Sequence, residues 1–125
     1  MHYRSIILYV AGPYGSYGTI EENIASATNY AQALWNAGFT VICPHTNTGH
    51  FKNEDNGGIP EPDYLDGYMH IVPRCDGIVL LPNWKNSHGA NKEKELADSL
   101  ELPVFDLEDY TIDNIKRFFK DKSEE

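Results

Sequence analysis

Cysteine is scarce in this 125-residue chain, which holds only Cys43 and Cys75. Their separation has neither a metal-ligand nor a redox spacing, which excludes a disulfide-stapled scaffold and reads as reduced core thiols of a cytosolic protein. Positive charge is scarce too: 10 Lys and Arg face 19 Asp and Glu, for a net −9. A surface of that sign repels phosphate backbones, so a nucleic-acid polymer is excluded as a partner. It also disfavours anionic membranes. A small nucleotide needs only one local patch of donors and stays open. Long apolar runs are missing: Ile6–Ala11 falls far short of a membrane span. The opening Met-His-Tyr-Arg-Ser lacks a signal-peptide layout. Repeats, low-complexity stretches and linkers are absent as well. The sequence therefore reads as one domain over residues 1–119 with a frayed tail at 120–125.

What is present is ordinary globular material, 41% hydrophobic and 23% charged. Four short β-rich apolar runs stand out: Ser5–Ala11, Phe39–Cys43, Gly77–Leu81 and Pro103–Leu107. Helical patterns alternate with them. Thr19 and Glu22 form a T-x-x-E capping box, so a helix starts near Ile20. Ile20, Ile24, Ala27, Ala31 and Leu34 form its inner face, and Gly38 ends it. Further helices are expected over Pro62–Val72, Gly89–Leu100 and Thr111–Phe119, the last with Ile112, Ile115, Phe118 and Phe119 inward. Pro44–Ile59 has no periodicity and reads as a long loop. The alternation predicts an α/β three-layer sandwich, flavodoxin-like or Rossmann-like, around a parallel sheet of four to five strands. Such sheets bind ligands beyond the carboxyl ends of their strands, where strand order reverses. The loops opening at Gly12, Pro44 and Pro82 are thus expected to carry the chemistry.

Several residues break the pattern. On the third helix, Glu93 falls within the apolar arc of Ala90, Leu96, Ala97 and Leu100. A carboxylate there is costly unless it is paired or faces a cavity. It is either a functional group at the cleft rim or a structural one paired to backbone donors or to Arg4, Arg74 or Arg117. Asn23 lies within the inner arc of the first helix and is either a ligand contact or a satisfied amide. Tyr64, Tyr68 and Met69 share the packing side of the second helix, while Asp66 and His70 pair four apart on its outer side. That pair reads as a solvated surface contact, with metal binding as the alternative. His45, Asn47, Thr48 and His50 supply donors and acceptors to the long loop, without a metal spacing, for a sugar or base or for no ligand. Ser87 is either an ordinary N-cap or a grip on a phosphate or sugar hydroxyl. Gly12-x-x-Gly15 is a weak phosphate-loop signal on its own.

Five stretches together resemble the nucleoside 2-deoxyribosyltransferase-like superfamily: Tyr9-Val-Ala-Gly12-Pro13, Glu22-Asn23-Ile24, Val41-Ile-Cys-Pro-His45, Arg74-Cys-Asp76 and Leu81-Pro-Asn-Trp84-Lys-Asn-Ser87-His-Gly89-Ala90-Asn-Lys-Glu93. The nearest branch is one of short bacterial and phage proteins of mostly unassigned function. The resemblance implies chemistry at the N-glycosidic bond of a nucleoside or nucleotide. The carboxylate matching Glu93 would attack C1′ or stabilise an oxocarbenium-like centre. It also implies that Gly12 and Tyr9, with Pro13 and Tyr14 beside them, line the sugar and base pocket. Ser87 and Gly89 would approach the 5′ side, with Trp84 and Ala90 in the same segment. Asn23, His45 and Asn47 complete the ligand-binding candidates, and no cofactor or metal is implied. The superfamily often carries an acid eight residues before the Asp matching Asp76; Tyr68 stands there, with Asp66 turned to the other side of the helix.

Two functional classes follow. The first is an enzyme, an N-hydrolase or deoxyribosyltransferase using Glu93, with Tyr68 as the second catalytic candidate. The second is a binding protein that holds a ribosylated nucleotide or a cyclic ADP-ribose-type signal without turnover, as a phage anti-defence protein would, with Tyr68 stacked on the base. A structural protein with a vestigial pocket is a third reading. The resemblance further implies a homo-oligomer, a dimer or larger, and the cysteine usage a cytoplasmic one.

Overall fold

The computed structural model describes residues 3–15, 17–49, 51 and 61–123. In chain order it contains β1 (Tyr3–Ala11), α1 (Ile20–Asn36), β2 (Phe39–Ile42), α2 (Pro44–Asn47), α3 (Glu61–Ile71), β3 (Gly77–Leu80), α4 (His88–Ser99), β4 (Val104–Asp106) and α5 (Ile112–Ser123). Single 3-10 turns occupy Val72–Arg74 and Trp84–Asn86. The four strands form one sheet in the order β2-β1-β3-β4, with every neighbouring pair parallel. The chain leaves β1 towards one edge and crosses back to the other side for β3. Strand order therefore reverses at the β1/β3 seam, where an open α/β sheet has its crevice.

The side-chain alternation of β1 sorts the two layers. Leu8 and Val10 point into a core with Ala27, Ala31 and Leu34 of α1 and Ile115 and Phe119 of α5. Tyr9 and Ala11 point the opposite way, into a core with Tyr68 of α3 and Ala90 and Ala97 of α4. This is the expected three-layer α/β sandwich, with the sheet at four strands. Both helix starts read from the sequence carry caps: the Thr19 hydroxyl accepts from the Glu22 amide at 3.1 Å, and that of Ser87 from the Ala90 amide at 3.1 Å. Gly38, at φ 108°, supplies the left-handed residue that ends α1. At the far end of the seam the Ile7 amide donates to the Asp76 carboxylate at 2.7 Å, and the Asp76 amide donates to the Ile7 carbonyl at 2.7 Å. Asp76 thus staples the sheet, away from the carboxyl ends of the strands.

The structure corrects several expectations. The stretch read as a loop from Pro44 opens with one helical turn, α2, which Pro44 starts from a first-turn position where its missing N–H costs nothing. Residue 50 and residues 52–60, including the His50 candidate, lie outside the described residues. Ile20, the first residue of α1, is 45% exposed, and Leu100 is 46% exposed, because it caps α4 beyond its last packed turn. α5 continues to Ser123 past the expected end at Phe119. Phe119 anchors that extra turn, with its ring 5.9 Å from Phe39 and 5.7 Å from Phe105. Among the described residues no helix is long and apolar enough to cross a membrane.

Candidate functional site

Beyond the carboxyl ends of β1 and β3 lies a cleft of about 940 Å³, lined by the β1–α1 loop, α2 and its exit, α3 and the start of α4. That volume lies in the upper part of the range for small-molecule sites. Its deepest chemical feature follows from two periodicities. The inward register of β1 sends Tyr9 towards α4, and the helical spacing of α4 places Glu93 on the inner arc between Ala90 and Ala97. The Tyr9 hydroxyl donates to the Glu93 carboxylate. Tyr9 is fully buried beneath the cleft, whereas Glu93 lines it at 7% exposure. Burial raises the Glu93 carboxyl to about 7, and the Tyr9 hydrogen bond pulls against that rise. Burial and the neighbouring carboxylate push the Tyr9 phenol well above its ordinary range, so the shared proton stays on the tyrosine. None of the three arginines weighed as structural partners is bonded to Glu93: Arg4 donates to the Trp35 and Phe39 carbonyls, Arg74 donates to the His70 carbonyl, and Arg117 belongs to α5, where it lines a separate hollow with Tyr3.

The α3 wall presents Tyr64, Leu65 and Tyr68. Tyr68 packs edge-on to Tyr9, with ring centroids 6.3 Å apart, so Glu93, Tyr9 and Tyr68 follow one another across the floor. The Tyr68 oxygen accepts from the Asn47 side-chain amide at 3.1 Å and shares a hydrogen with the Thr48 hydroxyl at 2.7 Å. On the opposite wall, two bonds tie the β1–α1 loop to the segment after β2. The His45 Nε2–H donates to the Pro13 carbonyl at 2.7 Å, and the Tyr14 hydroxyl donates to the Gly49 carbonyl at 2.6 Å. Burial lowers the His45 pKa, so the ring is neutral near pH 7. Gly12 stands where β1 passes β3: a side-chain carbon there would sit 2.8 Å from Leu81 Cβ.

Of the candidates read from the sequence, Gly12, Tyr14, His45, Tyr68, Ser87, Gly89, Ala90 and Glu93 all line the cleft. Tyr9, Pro13 and Asn47 stand behind the lining, bonded to Glu93, His45 and Tyr68 respectively. Asn23 spends its amide on the Tyr14 and Tyr17 carbonyls, which makes it a brace for the β1–α1 loop. Trp84 does not line the cleft: its ring is buried in the α3/α4 core and its indole N–H donates to Asp106 at 2.8 Å. Ser87 caps α4 and lines the cleft as well, so its two readings coincide. Sequence reasoning missed Ile20, Phe51 and His88 as lining residues. Phe51, at 56% exposure with its ring 6.4 Å from Tyr64, was signalled by an aromatic in a polar stretch.

Among the described residues lining the cleft, Glu93 is the only carboxylate, and none is Lys or Arg. Asp66 and His70 pair at 4.0 Å on the exposed outer side of α3. Among the described residues no group of three or more His, Cys, Asp or Glu is placed to hold a metal. Cys43 and Cys75 are free and buried; burial raises the Cys43 thiol and carries Cys75 to about 11, so both stay protonated.

Comparison with known proteins adds family and fold. Residues 6–106 match the family described as Domain of unknown function (DUF4406). No curated protein matches the chain. Seven solved chains do. One is the crystal structure of a conserved protein from Enterococcus faecalis V583, with a TM-score of 0.61 at 20% identity, covering 81% of this chain and 62% of that one. The likeness is one of fold, and the chain spans under two thirds of that neighbour's length.

Proposed function

The chain belongs to the DUF4406 family, and we propose that it binds a nucleoside or nucleotide in the cleft and cleaves or transfers at its N-glycosidic bond, with Glu93 at C1′. The observation that carries this reading is the buried Glu93 carboxyl held by the Tyr9 hydroxyl on the cleft floor. Near pH 7 such a group has a large ionised fraction that burial has stripped of water, the state a carboxylate needs to attack a sugar carbon. The resemblance to the nucleoside 2-deoxyribosyltransferase-like superfamily supports the same chemistry, and we extend the proposal to a homo-oligomeric assembly and, from the reduced cysteines, to a cytoplasmic location.

A second reading rests on a specific observation. Glycosidases of the two-carboxylate type need a second acid, and no second carboxylate is found among the described lining residues. A binding protein that sequesters a ribosylated nucleotide or a cyclic ADP-ribose-type signal, as an anti-defence protein of a phage would, needs none.

One experiment separates the two. The protein is incubated near equimolar with deoxynucleosides, their monophosphates, NAD, ADP-ribose and cyclic ADP-ribose isomers. Protein and solution are then analysed separately by chromatography with mass detection. Free base in solution, lost in Glu93→Gln, establishes glycosidic chemistry. Intact ligand recovered only from denatured protein establishes sequestration. Neither outcome with any compound sinks both readings.

A further inference from the structure

Resting on the reading that the cleft acts on an N-glycosidic bond, we infer that its substrate is a ribosyl pyridinium, a nucleoside whose base carries a positive charge. Three independent features point there.

The first is charge. Glu93 is the only carboxylate and no Lys or Arg is found among the described lining residues, in a chain of net charge −9. A cation is drawn to such a cleft, whereas a phosphate meets no cationic Lys or Arg side chain. The second is the wall. Tyr14, Phe51, Tyr64 and Tyr68 put four aromatic rings around the space, and aromatic faces attract cations through their quadrupole.

The third is the proton of Tyr68. Asn47 donates to the Tyr68 oxygen. The Thr48 hydroxyl lies 2.7 Å from that oxygen and 3.4 Å from the Pro44 carbonyl. A carbonyl cannot donate, so the arrangement that serves all three contacts, the long one to Pro44 included, has Thr48 donating to Pro44 and Tyr68 donating to Thr48. In that arrangement the phenolic proton points to Thr48, and Tyr68 is no acid for a departing base. A neutral base leaves as an anion unless something protonates it. A pyridinium leaves as a neutral molecule.

The step balances without an acid. A Glu93 carboxylate oxygen bonds to C1′ while the C1′–N bond breaks. The bonding pair goes to the ring nitrogen and cancels its charge. Water then adds to C1′, Glu93 departs as carboxylate, and the water's proton passes to solvent.

The test uses the full chain with nicotinamide riboside, deoxyadenosine and deoxyuridine, each rate divided by the spontaneous rate in the same buffer. Uncharged 1,4-dihydronicotinamide riboside, nearly the same shape, serves as competitor. The expected result is an acceleration of nicotinamide riboside at least about 100-fold above that of the uncharged nucleosides, the lower range of what a missing acid costs, with little competition from the dihydro form. Equal or greater acceleration of the uncharged nucleosides, or equally strong competition by the dihydro form, overturns the inference and leaves the glycosidic reading standing. No acceleration of nicotinamide riboside overturns it whatever else the cleft retains. No acceleration or retention of any nucleoside removes the underlying reading as well.

Discussion

Tyr9 and Glu93 lie 84 residues apart and share one hydrogen bond at the bottom of the cleft. The strand contributes a phenol that does not ionise, and the helix contributes a carboxyl whose ionisation is held near neutrality. The pair joins the central strand to α4, so the ionisation of the cleft carboxyl and the packing of one layer depend on the same contact.

Glu93 is expected to cost stability at alkaline pH. Its folded pKa of about 7 stands above the ordinary 4.5. The folded state therefore binds the proton more tightly, and stability fully present below about 4.5 is lost as pH rises through about 7. The loss amounts to about 3 kcal/mol. Glu93→Gln keeps the shape and removes the titration. It should be more stable than wild type by up to about 3 kcal/mol at pH 8 and by much less at pH 5. Urea unfolding at the two pH values checks this; an equal difference at both would refute it.

Removing the Tyr9 hydroxyl takes away the one contact that lowers the Glu93 pKa. Tyr9→Phe should therefore move the midpoint of the Glu93 titration above that of wild type. Carbon-13 NMR of labelled glutamate follows it directly. The buried carboxylate also loses its donor, which costs roughly 1–3 kcal/mol when it is ionised. A midpoint that stays put or falls contradicts the assigned direction of the bond.

His45 titrates with the opposite sense. Its folded pKa lies below the ordinary 6.5, so it contributes a loss of stability as pH falls below about 6.5. Protonating it also puts a charge on a ring packed against Cys43, with Nδ1 4.0 Å from the sulfur. His45→Gln should flatten the acid side of the stability profile. An unchanged acid slope in the variant would count against a buried neutral ring.

Two cleft glycines should respond differently. Gly12→Ala places its new carbon 2.8 Å from Leu81 Cβ, in a seam closed by the Leu81 amide bonding to the Ala11 carbonyl at 2.9 Å. Overpacking of that kind costs roughly 1–3 kcal/mol. At Gly89 the nearest atom is Leu65 Cδ1 at 3.7 Å, an ordinary contact, so Gly89→Ala should leave the melting temperature nearly unchanged. Parallel thermal melts compare them, and similar losses in both would be the contrary result.

The layering was legible because β1 is apolar at nearly every position and α1 carries both a cap and a stop. Glu93 was legible because a carboxylate on an apolar arc violates the pattern around it. Its bond to Tyr9 was not: the resemblance put Tyr9 at the pocket, but only the fold sets that strand tyrosine against α4. For Asn23, weighed as a ligand contact or a satisfied amide, and for Trp84, carried by the resemblance, only the fold shows the hydrogen-bond partner. A polar atom inside an arc is equally well served by a loop carbonyl or by Asp106, and sequence spacing does not show which lies within reach. Tyr68 was seen as a substitution, but the direction of its hydrogen depends on Asn47 and Thr48, one helix away.

A carboxyl group poised near pH 7 also makes the cleft a proton store. With a pKa of about 7, roughly half of the molecules in a neutral solution carry the extra hydrogen. A cationic guest that favours the ionised form drives that hydrogen out, up to about half an equivalent per site. The heat of binding then varies with the ionisation enthalpy of the buffer, and an unbuffered sample turns more acidic as the cleft fills. Occupancy can be followed with a pH electrode, using an unlabelled guest.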